Sequence, residues 1–507
     1  MHFKLIRHLD FPNQFPAGIL PRKRDLDDNS RTNKKSGDSS VVHMDSLRMT
    51  GRIMSKLKEI IVEEILKMGK IYEVGGVVRD RIISPVLPDK DTDYLVCGIP
   101  LDELIGLLEN FGKVDLVGKS FGVIKFSPFK RYSEDEEIKT FDVALPRKEY
   151  STGLGHKDFK VDFDHRLRVE DDLGRRDFTM NALAFDLSTK KIIDPLNGRK
   201  DIKRGLIRMT NPRSFLDDPL RMLRGIQFAA RFEFELEENT YQSLCENAEM
   251  IKTVSPERIQ EELNKLFTKA KKPSIGFRLM EKVGMLKYIF PELSACVGVD
   301  QPGGFHQYDV FEHSLATMDF SPMEVVPRLA ALLHDLSKPQ AKALTSDGAT
   351  FYGHEKKAAI ATEKILERLR YSNEVISKVK LLVDKHMFTT AVTDKGLRRL
   401  INKVGIENIF DLLELRRADI IAQGRGGDAS DVDEFEKRIR EEIAKKPPFG
   451  LKDLAVNGND IMDKFGLSPE PLIGKILNHL LDMVLDYPEM NEKETLLKEA
   501  EDFMKTL

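Results

Sequence analysis

The strand periodicity of this chain ends at one place. Up to the segment Asp194-Pro195-Leu196-Asn197-Gly198, apolar strand-like runs alternate with short helical patterns. Beyond it, residues 219–232, 238–250 and 256–268 all place apolar side chains at i, i+3 and i+4, and the remainder reads as helix. A mixed first domain, α/β or α+β, followed by helical modules is the architecture this change of period allows. With 507 residues the chain is too long for one core, which agrees with several domains. Ser255 before Pro256 marks a helix start, and Pro302-Gly303-Gly304, Gly424 to Gly427 and Pro447-Pro448 mark further breaks.

Within the mixed part, the apolar run from Ile71 to Val74 meets Gly75-Gly76-Val77-Val78-Arg79-Asp80, and Asp91-Thr92-Asp93 then leads into Tyr94, Leu95 and Val96. Residues i and i+2 of a strand share a face, so Asp91 and Asp93 are expected to point at one spot. Two hard oxygen donors beside a glycine turn suit Mg²⁺ and nucleotide phosphates, the arrangement of metal-assisted phosphoryl or nucleotidyl transfer. A third acid, Asp142, lies on the strand-like segment 140–145 and reaches the same metals if that strand is a neighbour.

Arg175-Arg176-Asp177-Phe178-Thr179-Met180-Asn181 packs two guanidiniums, a carboxylate and an amide into one turn. Arginine matches phosphate and ribose oxygens with fixed donor geometry, although the same residues serve equally as surface ion pairs. Asp217-Asp218-Pro219-Leu220-Arg221-Met222-Leu223-Arg224 starts a helix with Asp218 and Arg221 three residues apart. One reading is an N-cap with an i,i+3 ion pair. The other is a protein template for a base: the carboxylate accepts from the exocyclic amine of cytosine or adenine while the guanidinium donates to ring acceptors. Such a pair favours C and A over U and G.

Charge and composition exclude little and permit much. The net charge is -3, yet Arg199, Lys200, Lys203, Arg204, Arg208, Arg213, Arg221, Arg224 and Arg231 form a basic segment, and the last eighty or so residues lean acidic. Three scattered cysteines (Cys97, Cys245, Cys296) give no disulfide framework and point to a reducing cytoplasm. No apolar run approaches the ~20 residues that span a bilayer, so no membrane association is expected. Residues 1–53 read as an extension with little periodicity, without a signal-peptide core, and Met44, Met49 and Met54 leave its start open.

The Gly-Gly-x-Val-Arg-Asp turn with Asp91 and Asp93, the Arg175-Arg176-Asp177 motif, the 194–198 segment, Asp218 with Arg221, and Glu257-Arg258 occur in the order found in class II tRNA nucleotidyltransferases. The chain resembles these CCA-adding enzymes, relatives of bacterial poly(A) polymerases, over about residues 70–270. The resemblance implies an α+β fold: a polymerase-beta-like head with a five-stranded sheet (54–198), then a helical neck (199–297), body and tail (424–507). It implies Mg²⁺ on Asp91 and Asp93, with Asp142 in the place of a third acid. It further implies CTP and ATP contacts from Gly75, Gly76, Arg79, Arg175, Arg176, Asp177 and Asn181, and base selection by Asp218 and Arg221 with Arg224 alongside. The tRNA 3' end is the implied partner, and no DNA. The family's Glu-Asp pair is Asp217-Asp218 here. The polar, Gly-containing segment 147–164 (Ser151, Thr152, Gly153, Gly155) resembles the family's flexible loop and favours full CCA synthesis over partial (CC or A) addition. A poly(A) polymerase fits the acidic tail less well, and a hydrolase with an inactive RNA-binding head fits the carboxylates less well.

Downstream, His313, His334-Asp335, His354, His386 and Asp419 are ligand types spread over helical segments. They resemble the HD phosphohydrolase set over about residues 298–423. That resemblance implies hydrolysis of phosphomonoesters or 2',3'-cyclic phosphates with Mn²⁺, Co²⁺, Ni²⁺ or Mg²⁺.

Overall fold

The computed structural model describes residues 57, 59–84, 92–117, 123–132, 140–151, 159–301, 308–345, 348–424, 427–469 and 471–506. The N-terminal extension, Asp91, residues 152–158 and the segments 302–304 and 425–426 lie outside them.

The first part is a seven-stranded sheet. Its strands are β1 (Lys70–Val74), β2 (Asp93–Cys97), β3 (Gly112–Val117), β4 (Val123–Pro128), β5 (Phe141–Ala144), β8 (Ala184–Asp186) and β9 (Lys191–Ile193), in the order β3-β4-β5-β2-β1-β8-β9. Two more strands, β6 (Arg147–Ser151) and β7 (Phe159–Phe163), form a separate antiparallel pair. The expected sheet had five strands. The β8–β9 hairpin adds two, because the apolar run from Ala182 to Leu187 pairs with β1 in register Val74↔Ala184 and hides its edge. Within the expected loop 147–164 the described ends pair, from Arg147↔Phe163 to Ser151↔Phe159, while Thr152, Gly153 and Gly155 lie outside the described residues.

Register decides which acids meet. β2 and β5 run parallel with Asp93 opposite Asp142, and β4 runs antiparallel to β5 with Lys125 opposite Asp142. Residues directly opposite across neighbouring strands share a face, so Asp93, Asp142 and Lys125 stand in one row. One face of the sheet buries Tyr72, Val74, Leu95 and Ala184 against Val169 and Leu173 of the Val169–Gly174 helix. That helix delivers Arg175 and Arg176 to the sheet's end.

After residue 198 the chain is helical, apart from the two-residue parallel pair Leu206–Ile207 with Glu235–Leu236 and a short hairpin, Ala343–Thr345 with Gly348–Thr350. The predicted helices appear as Leu220–Phe232, Glu238–Asn247 and Pro256–Lys269. Ser255 is the N-cap of the last and Pro256 its first residue, without a side-chain cap bond. Gly225 lets the Leu220–Phe232 helix approach the head: an added Cβ there would lie 2.9 Å from Phe178 Cζ. Phe178 meets Phe215 and Phe228 edge-on, which seals this contact. Helices Val310–Phe320, Val325–Leu333, His354–Arg368, Asn373–Lys385 and Ile406–Ala422 follow. The last helices, including Pro471–Asp486 and Lys493–Met504, close around Val456, Ile461, Ile476, Leu480, Val484 and Leu496. No described helix is long and apolar enough to cross a membrane, and all three cysteines are free thiols.

One buried cation ties the helical layers together. Arg328, 1% exposed, donates to the carbonyls of Phe267, Ala270 (2.6 Å) and Lys271 (3.1 Å). These are acceptors at the end of the Pro256–Lys269 helix, left open by the helix itself. Burial, only partly offset by Asp319, pulls this guanidinium down to about 10. Arg328→Met should strand those carbonyls and cost about 2–4 kcal/mol, the penalty for two or so buried unpaired groups. Thermal unfolding followed by calorimetry checks this, and an unchanged midpoint would show that the cap carries no stability.

Candidate functional site: an arginine-lined cavity and a histidine–aspartate cluster

β1 ends at Val74, and Gly75 takes φ 75°, which turns the chain into the Gly76–Ile83 helix. An added Cβ at Gly75 would sit 2.6 Å from Arg176 Nη1, so only glycine lets that guanidinium lie over the turn. Arg175 and Arg176 are both anchored on Asp172, by Arg175 Nε (2.9 Å) and Arg176 Nη2 (3.1 Å). Asp172 is fully buried. Burial opposes its ionisation, and the guanidiniums of Arg176 and Arg175 outweigh it, holding the carboxyl below its ordinary range.

Asp177 is the centre of the site. Its Oδ1 accepts from Phe178 N (2.8 Å) and Asn181 Nδ2 (2.9 Å), and its Oδ2 from Arg224 Nε (2.9 Å). Asn181 Oδ1 in turn accepts from Arg79 Nη1 at 2.6 Å, and Arg79 lies over the rings of Phe228 and Phe232. Arg224 continues to Glu262 (3.3 Å), which also holds Lys265 (2.6 Å). Burial disfavours the Asp177 charge, but Arg224 and Asn181 more than compensate and keep it ionised.

Asp218 and Arg221 differ in detail from an i,i+3 ion pair. Asp218 is extended, ahead of the helix, because Pro219 is the N-cap and Leu220 the first helical residue. Its Oδ2 accepts from Arg258 Nη2 at 2.9 Å, and its Oδ1 from Leu220 N at 3.2 Å. Arg221 is buried and donates to Ser214 Oγ at 3.2 Å. The two side chains still face one space. A cavity of about 490 Å³ is lined by Gly75, Gly76, Arg79, Asp93, Arg175, Arg176, Asp177, Asn181, Asp218, Arg221 and Arg224. Gln227, Phe228, Arg231, Arg258, Glu262, Lys265 and Lys269 complete its wall. Sequence reasoning left most of these latter residues without a role; their signal was a polar stripe on otherwise amphipathic helices. Of the three acids, Asp93 reaches the cavity. Asp142 is in its row but bound by Lys125 Nζ at 2.8 Å, and Asp91 lies outside the described residues.

The downstream ligands converge separately. Asp335 Oδ2 is 3.1 Å from His334 Nε2 and 3.5 Å from His313 Nε2, while its Oδ1 is 3.1 Å from His354 Nε2 and 3.8 Å from His386 Nε2. Asp419 Oδ1 is 3.0 Å from His313 Nε2. His334, His354 and His386 each donate Nδ1–H to a backbone carbonyl, of Ala331 (2.8 Å), Phe351 (2.8 Å) and Val383 (2.7 Å). With that proton committed, each Nε2 of a neutral ring presents a lone pair. The Nε2 atoms of His354 and His386 face each other 3.3 Å apart beside a carboxylate. Burial and the neighbouring His334 lower His386 to about 3, which keeps it neutral. These imidazole nitrogens and carboxylate oxygens converge as ligand types that suit a cation. Two such triads, His313–His334–Asp335 and Asp335–His354–His386, share Asp335. Sequence reasoning missed Lys338, whose Nζ is 2.6 Å from Asp335 Oδ2, and Arg416, 2.9 Å from Asp419 Oδ2. Each lies three residues from its acid on the chain.

Comparison with known proteins follows this geometry. The family described as "Poly A polymerase head domain" matches residues 71–208. "Probable RNA and SrmB-binding site of polymerase A" matches 233–296, and tRNA nucleotidyltransferase domain 2 matches 352–500. An A-adding tRNA nucleotidyltransferase of Deinococcus radiodurans is 32% identical over 335 residues, covering 62% of this chain and 75% of the relative. A multifunctional CCA protein of Methylobacillus flagellatus is 35% identical over 325 residues, 62% of this chain and 73% of the relative. In fold, the chain is similar to the Bacillus stearothermophilus CCA-adding enzyme in complex with CTP, with TM-score 0.65 and 23% identity over 88% of this chain and 96% of that one.

Asp172 supplies a pH prediction. Its folded-state pKa lies below the unfolded value, so its charge stabilises the fold above about pH 4 and that contribution is lost as pH falls through the folded value. Asp172→Asn should therefore lower the melting temperature more at pH 7 than near pH 3. Equal shifts at both pH values would show that its ion pairs are not the source of the stabilisation.

Proposed function

Because this chain belongs to the tRNA nucleotidyltransferase family, as its 32% identity across 75% of a named member shows, we propose that it adds CCA to tRNA 3' ends from CTP and ATP without a nucleic-acid template. The observation that supports this most is the convergence of the phosphate-type arginines, Asp93 and the Asp218–Arg221 pair on one cavity. In this reading residues 54–198 bind the triphosphate and perform transfer, and 199–297 read the base and hold RNA. Arg175, Arg176 and the Gly75 turn bind the triphosphate. Asp177 and Asn181 orient Arg79 and Arg224 around ribose and phosphate. Asp218 accepts from the exocyclic amine of C or A, and Arg221 donates to the ring. The tRNA 3'-hydroxyl attacks the α-phosphorus, its P–O bond forms, and pyrophosphate leaves. The hard carboxylate of Asp93, exposed at the cavity, is a fitting Mg²⁺ donor together with Asp91. Mg²⁺, when bound, neutralises phosphate charge and favours the hydroxyl's ionised form. The three free thiols fit a reducing, cytoplasmic setting.

The Deinococcus relative favours one second reading of this site, addition of the terminal A alone. Purified protein incubated with tRNAs ending before CCA, CA and A, with each nucleotide supplied singly, separates the two. Full CCA synthesis requires CTP incorporation on the first substrate; ATP incorporation on the last substrate only would replace that reading by A addition. Asp93→Ala should abolish incorporation. Asp218→Ala should weaken discrimination against UTP and GTP by about 1–3 kcal/mol, the worth of a bidentate base contact. An unchanged nucleotide ranking would remove Asp218 from base reading.

The shared-aspartate cluster supports a second activity, metal-dependent hydrolysis of phosphate esters within residues 298–423. Imidazole donors favour Mn²⁺, Co²⁺ or Ni²⁺ over Mg²⁺. His334→Ala combined with Asp335→Ala should abolish turnover of 2',3'-cyclic AMP, 2'-AMP, 3'-AMP and p-nitrophenyl phosphate with each metal, and leave nucleotide addition intact. Turnover that survives the double variant would assign it elsewhere.

A further inference from the structure

Among the described residues, two side-chain cations of Lys or Arg stand against the cluster's carboxylates, and they are not equivalent. Lys338 is buried, 7% exposed, and its ammonium is shared between Asp335 Oδ2 (2.6 Å) and Gln301 Oε1 (2.6 Å). It offsets the charge of Asp335 from a buried position. Arg416 stands one helical turn before Asp419 on the Ile406–Ala422 helix, with its side chain 27% exposed against 9% for the acid. Asp419 uses Oδ1 towards His313 and Oδ2 towards Arg416 Nη1. The Nε and Nη2 edge of this guanidinium has no hydrogen-bond partner among the described residues. A guanidinium fixed by one nitrogen beside a buried donor set, with its other donors unclaimed, matches two oxygens of a phosphate group.

We propose that Arg416 binds the terminal phosphate of the substrate at this cluster and selects phosphomonoesters over cyclic or linear diesters. The inference rests on the hydrolase reading above. A monoester carries nearly two negative charges at neutral pH against one for a diester, so a fixed guanidinium rewards the monoester. In hydrolysis a water oxygen bonds to phosphorus, the ester P–O bond breaks, and the departing alkoxide takes a proton, giving an alcohol and inorganic phosphate. Arg416 acts on the non-bridging oxygens in both ground and product states.

The test uses the full chain loaded with Co²⁺, whose visible absorption at an imidazole-rich site reports on its ligands. For Arg416→Gln, the spectrum without added anion should match the parent, showing that Asp419 still holds its place. The inorganic phosphate concentration that perturbs the spectrum should rise roughly 10–100-fold, the worth of a charge-assisted bond. Turnover of p-nitrophenyl phosphate should fall by the same order, turnover of bis(p-nitrophenyl) phosphate far less, and Arg416→Lys should recover part of the loss. Retained nucleotide addition verifies that the variant is folded. Equal losses on both esters, or a spectrum altered before phosphate is added, would overturn the proposal and leave Arg416 as a support for Asp419. If the parent protein turns over neither ester, the hydrolase reading fails by itself. The phosphate titration still decides Arg416, and an unshifted midpoint would overturn its assignment.

Discussion

The carboxylate of Asp177 holds the arginine-lined cavity together. It gathers Phe178 N and Asn181 with one oxygen and Arg224 with the other, and through them reaches Arg79 and Glu262. Four pieces of chain distant in sequence are fixed by this one group: the glycine turn, the arginine motif, and helices Leu220–Phe232 and Pro256–Lys269. Such a buried charge is costly unless every lone pair is used. Here it is surrounded by donors, so ionisation and order of the cavity come together. Arg79 and Arg224 are thereby held in place before any ligand arrives, as Asp172 holds Arg175 and Arg176, which lowers the ordering cost of binding.

The second site follows a different rule. Its order comes from backbone carbonyls that take the Nδ1 protons of three histidines and so turn their Nε2 atoms towards Asp335 and one another. The helix supplying His334 also carries Arg328, which caps the Pro256–Lys269 helix lining the arginine-lined cavity. The two sites have separate donor sets, yet they share one rigid joint. Their chemistry is expected to be independent while their stability is not.

Much of the head was legible from local pattern. The apolar run before Gly75, the Asp93 strand and the Asp142 strand all appear where alternation placed them, and their adjacency follows from register. The extra β8–β9 hairpin was not legible, because strands of three residues carry too little period to separate from loop. The paired arm 147–163 was missed for a related reason: turn-type residues such as Gly153 and Gly155 dominate the segment and mask the alternation on either side.

The sequence by itself determined which residue types are available: two arginines after Asp172, an acid before Pro219, histidines at the ends of apolar helices, and a change from strands to helices near residue 198. These depend on neighbours within a few residues, where steric and hydrogen-bonding preferences act directly. Only the tertiary structure decided who partners whom. Asp218 is met by Arg258, forty residues away, because Pro219 keeps Asp218 out of the helix that carries Arg221. Asp142 faces Lys125 as well as Asp93 because three strands align in one register. Asp335 is shared by two histidine pairs because four helices converge on it. Charge partnership falls off over a few ångströms of space, and distance along the chain does not measure it.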